Sequence, residues 1–291
     1  EILIGLVGSE MCIRDRILAD IRELVGMLPL NNEGDVYTDE CADDLNRACE
    51  SMDAMKGDPR YLLSEISDSH TFFETKAGYA RDMVTGFIKL NGMTVGAVAN
   101  CTTVYDEEGK ESEKFDNVLS AKGCEKAAEF VNFCDAFSIP VLSLTDVAGY
   151  AASKCEEKKI AKAAAKLTYA FAGATVPKVN VVIGKAFGSA YTVMNSKAIG
   201  ADITYAWPDA KIGTMDAKLA AKIICDGQDA AAIDACAAEY EALQTSAESA
   251  AQRGYVDQII EAADTRKYVI GAFEMLFTKR ENRPDKKHGT V

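Results

Sequence analysis

Apolar residues change period along the chain, and each change marks an element. From Ile17 to Leu28 they recur at helical spacing, with Ile17, Ile21, Leu24, Val25 and Leu28 on one face, which predicts an amphipathic helix. Pro29 to Asp35 is rich in turn formers and reads as a linker. Cys41 to Cys49 is short and mixed, Arg60 to Ile66 reads as a short helix and Thr71 to Glu74 as a short strand. The period then drops to that of strands. Val84–Leu90 and Met93–Ala99 flank Asn91-Gly92, the pairing that suits a tight hairpin turn. Asp106 to Glu113 is a charged, solvated loop. Gly123 to Phe137 is helical, with Ala127, Phe130, Val131 and Cys134 on one face. Pro140 opens the strand Val141–Thr145, which ends in a turn, Asp146 to Tyr150.

A polar stretch, Ser153 to Lys159, leads into a small-residue helix from Ile160 to Ala174. Pro177 precedes the strand Val179–Ile183, then the turn Lys185-Ala-Phe-Gly-Ser-Ala-Tyr191, then a helix-compatible run from Thr192 to Ala198. Ile203–Trp207 and Lys211–Thr214 read as short strands around Pro208-Asp209. Helices are predicted from Ala217 to Cys225, Ala230 to Ala247 and Thr265 to Lys279, with Arg253-Gly-Tyr-Val-Asp257 between the last two. The tail from Glu281 is polar and basic. Strands alternating with helices, plus one hairpin, define an α/β fold with right-handed crossovers. The two small-residue turns lie one β-α unit apart. In a parallel pairing both fall at the carboxyl ends of neighbouring strands, where α/β proteins place ligands.

The second turn carries the most chemistry. A strand that enters a tight glycine turn and then a helix leaves backbone N–H groups without intrahelical partners. Such groups make an anion site, or an oxyanion hole when they face a carbonyl that gains charge during reaction. Composition narrows what else is open. The 291 residues are 48% hydrophobic and 26% charged, enough for a full core. A net charge of −13 argues against nucleic acid as a partner. Nine cysteines without a C-x-x-C pair suit small core residues of a reducing cytosol rather than zinc or disulfides. With only two histidines, His70 and His288, a histidine triad or histidine-ligated metal is not expected. No apolar run approaches the roughly 18 residues needed to span a bilayer. The chemistry therefore falls to backbone groups or a bound cofactor.

Residues 1–16 stand apart. Val7-Gly-Ser-Glu-Met-Cys-Ile-Arg-Asp-Arg16 resembles translated sequencing-adaptor sequence, so residues 1–16 are read as non-native and the chain as a fragment. The alternative is a genuine short strand, Ile2 to Val7, followed by a loop. Residues 17–35 are then the remnant of a preceding half, and 36–291 form the main domain.

Several motifs agree in order and spacing with one family. Gly86–Leu90, Asn132–Phe137, Ala165–Phe171, Ala174–Lys178, Lys185–Tyr191, Gly200–Asp202, Tyr205–Pro208, Arg253–Asp257 and Lys286–Gly289 resemble the C-terminal half of biotin-dependent acyl-CoA carboxyltransferases. These are the β subunits of propionyl-CoA-type carboxylases and the related α subunits of sodium-pumping acyl-CoA decarboxylases. The resemblance runs from about Ile17 to Val291. It implies a crotonase-like fold, a spiral of β-β-α units with peripheral helices. It also implies an active site formed between the N half of one subunit and the C half of another. Of two oxyanion holes in the family, the one serving the biotin ureido oxygen maps onto Gly188, Ser189 and Ala190, with the Ser189 and Ala190 N–H groups as donors. Val147, Ala148, Gly149, Phe187, Tyr191 and Thr192 are the residues it sets around the cofactor.

The implied partners are a biotin carboxyl carrier protein, which bears the biotin, and biotin carboxylase or membrane decarboxylase subunits. Acyl-CoA of the acetyl or propionyl type is the implied substrate, the implied assembly a homo-oligomer, and the implied location the cytoplasm. Family members commonly read Gly-Gly-Ala where this chain has Gly188-Ser-Ala190, a change that leaves the N–H donors intact. The loop Val147 to Lys158 lacks the Pro, Gln and His common there, and Thr192 replaces a frequent Asp. These departures keep substrate and direction open between carboxylation and a methylmalonyl- or glutaconyl-CoA decarboxylase. A non-catalytic carrier-docking module is the third reading. As a fragment the chain is expected to be inactive alone.

Overall fold

The computed structural model describes residues 17–34, 38–105 and 109–284. Residues 1–16, with the adaptor-like segment and its alternative strand, lie outside them, as do 106–108 of the charged loop and the tail containing His288.

Helix α1 spans 17–27, one residue short of the predicted end. Its apolar face is only partly used: Met27 is buried and Leu24 and Leu28 pack on the core, whereas Ile17, Ile21 and Val25 are exposed. Helix α2, Pro59–Ile66, starts where Asp58 accepts the Arg60 N–H and Pro59 occupies the first turn, a residue pair that favours helix initiation. A meander follows in β1 (Phe72–Thr75), β2 (Met83–Leu90) and β3 (Met93–Asn100), antiparallel throughout. The predicted hairpin is present. Asn91 and Gly92 both have positive φ, 49° and 73°, as a tight primed turn demands. At Gly92 the requirement is also steric, because a Cβ would sit 1.8 Å from the Asp39 carbonyl oxygen.

The stretch read as a solvated loop is bracketed by a small separate hairpin, β4 (Thr103–Tyr105) with β5 (Glu111–Lys114). Strand β5 shows no apolar alternation, so its pairing leaves no trace in the pattern. Helix α3, Ala121–Ala136, is capped by the Ser120 hydroxyl on the Gly123 N–H and buries the predicted face. Strand β6 (Val141–Val147) extends two residues beyond its expected end. The short α4 (Lys154–Glu157) and α5 (Ile160–Gly173) follow.

Strand β7, Lys178–Phe187, runs through residues read as turn, and α6 begins at Gly188 and ends at Val193. Strands β8 (Ile203–Ala206) and β9 (Lys211–Gly213) lead to α7 (Ala217–Ile224) and α8 (Ala230–Tyr240). The predicted helix to Ala247 is interrupted. A π-helical turn, Glu241–Thr245, closes it, and the Ser246 hydroxyl caps a new helix, α9 (Ala247–Gln252), at the Ser249 N–H. Strand β10 (Gln258–Ile259), not foreseen, and α10 (Thr265–Leu276) complete the chain.

The main sheet runs β1-β2-β3-β6-β7-β8-β10, with β9 beside the far end of β7. From β3 onward every pairing in it is parallel. One face packs on α3 and α5 through Phe87, Phe130, Val131 and Leu167. The other packs on α2 and α10 through Leu62, Ile88, Val181, Trp207 and Phe273. Adjacent residues such as Phe87 and Ile88 enter opposite layers, as strand alternation requires. Trp207, expected in the core, is fully buried and donates to the Thr265 hydroxyl at 3.0 Å.

Candidate active site

Val147, the last residue of β6, lies opposite Ala186, one residue from the end of β7. The two turns are therefore side by side at the carboxyl edge of the sheet, as their sequence spacing predicts. The first turn is pinned to the loop before α3: the Ala148 N–H donates to Asn117 O and the Leu119 N–H to Gly149 O, both at 2.9 Å. A neighbouring pair of hydrogen bonds ties Asp146 to Asn100 at the end of β3, through its N–H at 2.8 Å and its carbonyl.

The second turn is built on Gly188, whose φ is +59°. A left-handed residue at the strand-to-helix junction reverses the chain in one step. A Cβ here would press on Thr214 O at 3.1 Å, so glycine is needed for conformation and for space. Beneath the turn lies a buried polar network. Ser143 and Thr145 donate to Asn180 Oδ1 at 3.0 and 2.8 Å, and Asn195 Nδ2 donates to Ser143 Oγ at 3.0 Å. These bonds fasten the end of α6 to β6 and β7. The first N–H groups of α6 have no partner within the helix.

A cavity of about 430 Å³ opens beside this turn. Gly188, Ser189, Tyr191 and Thr192 form one wall, and β9 with the π-helical turn and α9 form the other through Ile212, Thr214, Tyr240, Gln244 and Arg253. Tyr191 is nearly buried, which pushes its phenol pKa to about 12 and keeps it protonated across physiological pH. Burial also raises Tyr150, and the neighbouring Ser189 side chain acts in the opposite sense, which puts these two side chains of the two turns close together. Arg253, flagged by sequence only as part of a motif, is held by the Gln244 side chain and carbonyl.

The structure thus gathers Gly188, Ser189, Tyr191 and Thr192 around one cavity. Ala190 and Phe187 lie in the core just behind them. Val147 is also buried, Ala148 is exposed and Gly149 half-buried, and none of the three lines that cavity. Among the described cysteines, Cys49, Cys101, Cys124 and Cys134 are core residues as expected, whereas Cys41, Cys225 and Cys236 are half-buried and Cys155 is exposed. His70 is exposed and faces Glu65 at 3.2 Å. Among the described residues, no helix is long and apolar enough to cross a membrane. Sequence reasoning missed Asp146 as a structural group; the signal available was an aspartate at a strand end with a glycine, Gly184, in the following strand.

The mixed sheet, parallel from β3 onward and with two small-residue turns side by side at its carboxyl edge, belongs to an α/β protein of the crotonase-like fold, which solved carboxyltransferases share. Transcarboxylase 12S, solved as a hexamer with hydrolysed methylmalonyl-CoA bound, superposes with a TM-score of 0.84 at 37% identity, over 93% of this chain and 53% of that one. The geranyl-CoA carboxylase β subunit of P. aeruginosa, at 22% identity and a TM-score of 0.67 over 93% of this chain and 52% of that one, shares the fold.

The carboxyl transferase domain family matches residues 13–291, and the chain belongs to it. The methylmalonyl-CoA carboxyltransferase 12S subunit of Propionibacterium freudenreichii subsp. shermanii is 39% identical over 281 residues, 92% of this chain and 52% of that protein. The propionyl-CoA carboxylase beta chain of Roseobacter denitrificans is 39% identical over 284 residues, 94% of this chain and 54% of that protein. The mitochondrial beta chain of Rattus norvegicus is 38% identical over 282 residues, 94% of this chain and 50% of that protein. The chain spans about half the length of the curated relatives it matches.

Proposed function

We propose that this chain is the biotin-facing half of a carboxyltransferase that moves a carboxyl group between biotin on a carrier protein and an acyl-CoA of the acetyl or propionyl type. The observation that carries the reading is the left-handed Gly188, which starts α6 beside a cavity lined by Ser189 and leaves the Ser189 and Ala190 N–H groups, in the first turn, without intrahelical partners. Biotin, when bound, supplies a ureido group able to accept and release a carboxyl. The residues present fit it: a cavity of about 430 Å³ falls within the size of pockets for small ligands, roughly 300–1,000 Å³. At Gly188 and Gly213 its lining is side-chain-free backbone, which suits close approach of a ring.

The chain's own contribution is electrostatic. Two backbone donors aimed at the ureido oxygen stabilise negative charge there, and loss of one donor from such a hole slows a reaction about 10²–10³-fold. Backbone amides do not titrate in the working range, so the scarcity of histidines is no obstacle. Ile212 and Tyr240 add apolar surface to the cavity wall. The thioester and most of the CoA fall to the part of its relatives that this chain does not span, and a homo-oligomer bringing both parts together completes the site.

The test is carboxyl exchange between free biotin and radiolabelled methylmalonyl-CoA. The chain alone is expected to be inactive, and the chain joined to the remaining half of a propionyl-CoA carboxylase beta chain active. A joined protein that binds acyl-CoA and biotinylated carrier but transfers no carboxyl overturns the catalytic reading.

A further inference from the structure

The pairing of β6 with β7 is regular up to Thr145 opposite Val182, then resumes with Val147 opposite Ala186. Strand β6 advances two residues across this interval while β7 advances four. The extra length of β7 is also where it changes partner, from β8 (through Val182) to β9 (from Lys185). One side chain occupies the irregularity. Asp146 Oδ1 accepts the Lys185 N–H at 2.7 Å, replacing a ladder bond with a side-chain bond. Gly184 closes onto the same carboxylate, where a Cβ would lie 2.5 Å from Oδ1. The carboxylate does not move freely, because Asn117 Nδ2 donates to Oδ1 at 2.8 Å and Asn100 holds the Asp146 backbone from both sides.

We propose that Asp146 is the positioning residue of the Gly188 turn. It fixes β7 three residues before Gly188 and sets the direction in which the Ser189 and Ala190 N–H groups point. The role follows from the route of the chain. The segment Lys185–Phe187 pairs with β9 on one side and meets Val147 of β6 at Ala186 on the other, and it enters this course through the Asp146 bond, so only three residues of paired strand separate that bond from the turn. A carboxylate suits this position because it accepts from the Lys185 N–H and Asn117 together, and charge-assisted acceptors are the stronger ones. Its catalytic meaning rests on the carboxyltransferase reading above; the positioning itself does not.

The experiment uses the ¹⁵N-labelled full chain and follows the amide resonances and hydrogen exchange of Lys185, Gly188, Ser189 and Ala190. Asp146→Ala is expected to displace all four resonances and to speed exchange at Ser189 and Ala190 at least tenfold. Asp146→Asn, which keeps an oxygen acceptor, is expected to return them close to the parent. Should Asp146→Ala not fold, Asn117→Ala removes one of the two bonds to Oδ1 and is expected to move the same resonances less far. A purely structural aspartate would lower the melting temperature and perturb Lys185 while Ser189 and Ala190 stay in place, and that result overturns the proposal. Titration with free biotin separates the two readings. Ser189 and Ala190 amides that respond to Asp146→Ala but not to biotin sink the biotin assignment alone; amides that respond to biotin but not to Asp146→Ala sink the positioning role alone.

Discussion

Gly188 and Thr214 approach so closely that the space for a Cβ on one ends 3.1 Å from the carbonyl oxygen of the other. Thr214 follows β9, which pairs with the last residues of β7, so the contact is set by the sheet and not by a mobile loop. The glycine is doubly constrained, by this carbonyl and by its φ of +59°.

Gly188→Ala is therefore expected to cost about 1–2 kcal/mol of stability from the left-handed backbone alone. It should also displace the Ser189 and Ala190 amides and, on the proposed biotin-facing role, remove their shifts on titration with biotin. Thermal unfolding and biotin titration check the two effects separately. A variant as stable as the parent, with unchanged amide positions, would contradict the geometry argued for the turn.

Much of this site was legible in the sequence, and the reason differs by element. The turn Lys185–Tyr191 was readable because glycine and small residues between an apolar strand and a helix have few uses, and its placement beside Asp146–Tyr150 followed from the parallel topology. The end of β7 leaves no local signal because Lys185, Ala186 and Phe187 pair with β9, a three-residue strand whose pairing is non-local. The far wall of the cavity was hidden for a similar reason. Residues 230–247 carry one unbroken helical pattern, and the π-helical turn that carries Gln244 arises from packing, with Ser246 starting a fresh helix. The exposed face of α1 shows the converse: its period marks the helix, but period alone does not say what covers a face.

The cysteines give a chemical check on the core. Burial pushes the Cys101 thiol to about 11 and Cys124 to about 12, and Cys134 is raised further in the same direction. Cys155 is exposed on α4. At pH 8, peptide mapping after a brief pulse of a thiol reagent is expected to find Cys155 modified. Cys101, Cys124 and Cys134 should react at least a hundredfold more slowly until denaturant is added, because thiolate is the reactive form. Equal labelling of Cys124 and Cys155 would contradict the packing of α3.

Arg266 is fully buried and pairs with Asp68 at 2.7 Å while donating to Ile66 O at 2.6 Å. Asp68 in turn accepts the Gly92 N–H at 2.7 Å, so α10, the end of α2 and the hairpin turn share one ion pair. Arg266→Met leaves the carboxylate buried and uncompensated, and should lower the unfolding free energy by about 3–5 kcal/mol. Arg266→Met combined with Asp68→Asn should recover part of that loss, since the amide oxygen still accepts from the turn. Urea denaturation of both variants tests the coupling; a loss under about 1 kcal/mol for the single variant would mean the pair is dispensable.

Lys178 predicts a pH dependence of the opposite sense to most lysines. It opens β7 fully buried, donating to Phe171 O at 2.7 Å, and its pKa falls to about 8, chiefly by burial and secondly by the positive charge of Lys279. Below about 8 the group is charged in both folded and unfolded chains, and the folded form bears the burial cost. Above the unfolded value of about 10.4 it is neutral in both. Between these limits the folded chain releases its proton first, so the unfolded chain binds more protons and this group's contribution to stability rises with pH. Lys178→Met removes the titration and leaves Phe171 O without its donor. The stability of the parent relative to Lys178→Met should therefore increase between pH 7 and pH 9.5, read from urea midpoints of the two proteins at each pH. Because both chains share every other titrating group, the difference isolates Lys178, and a gap that stays constant or narrows in the parent's disfavour would show that this lysine is not held as a buried cation.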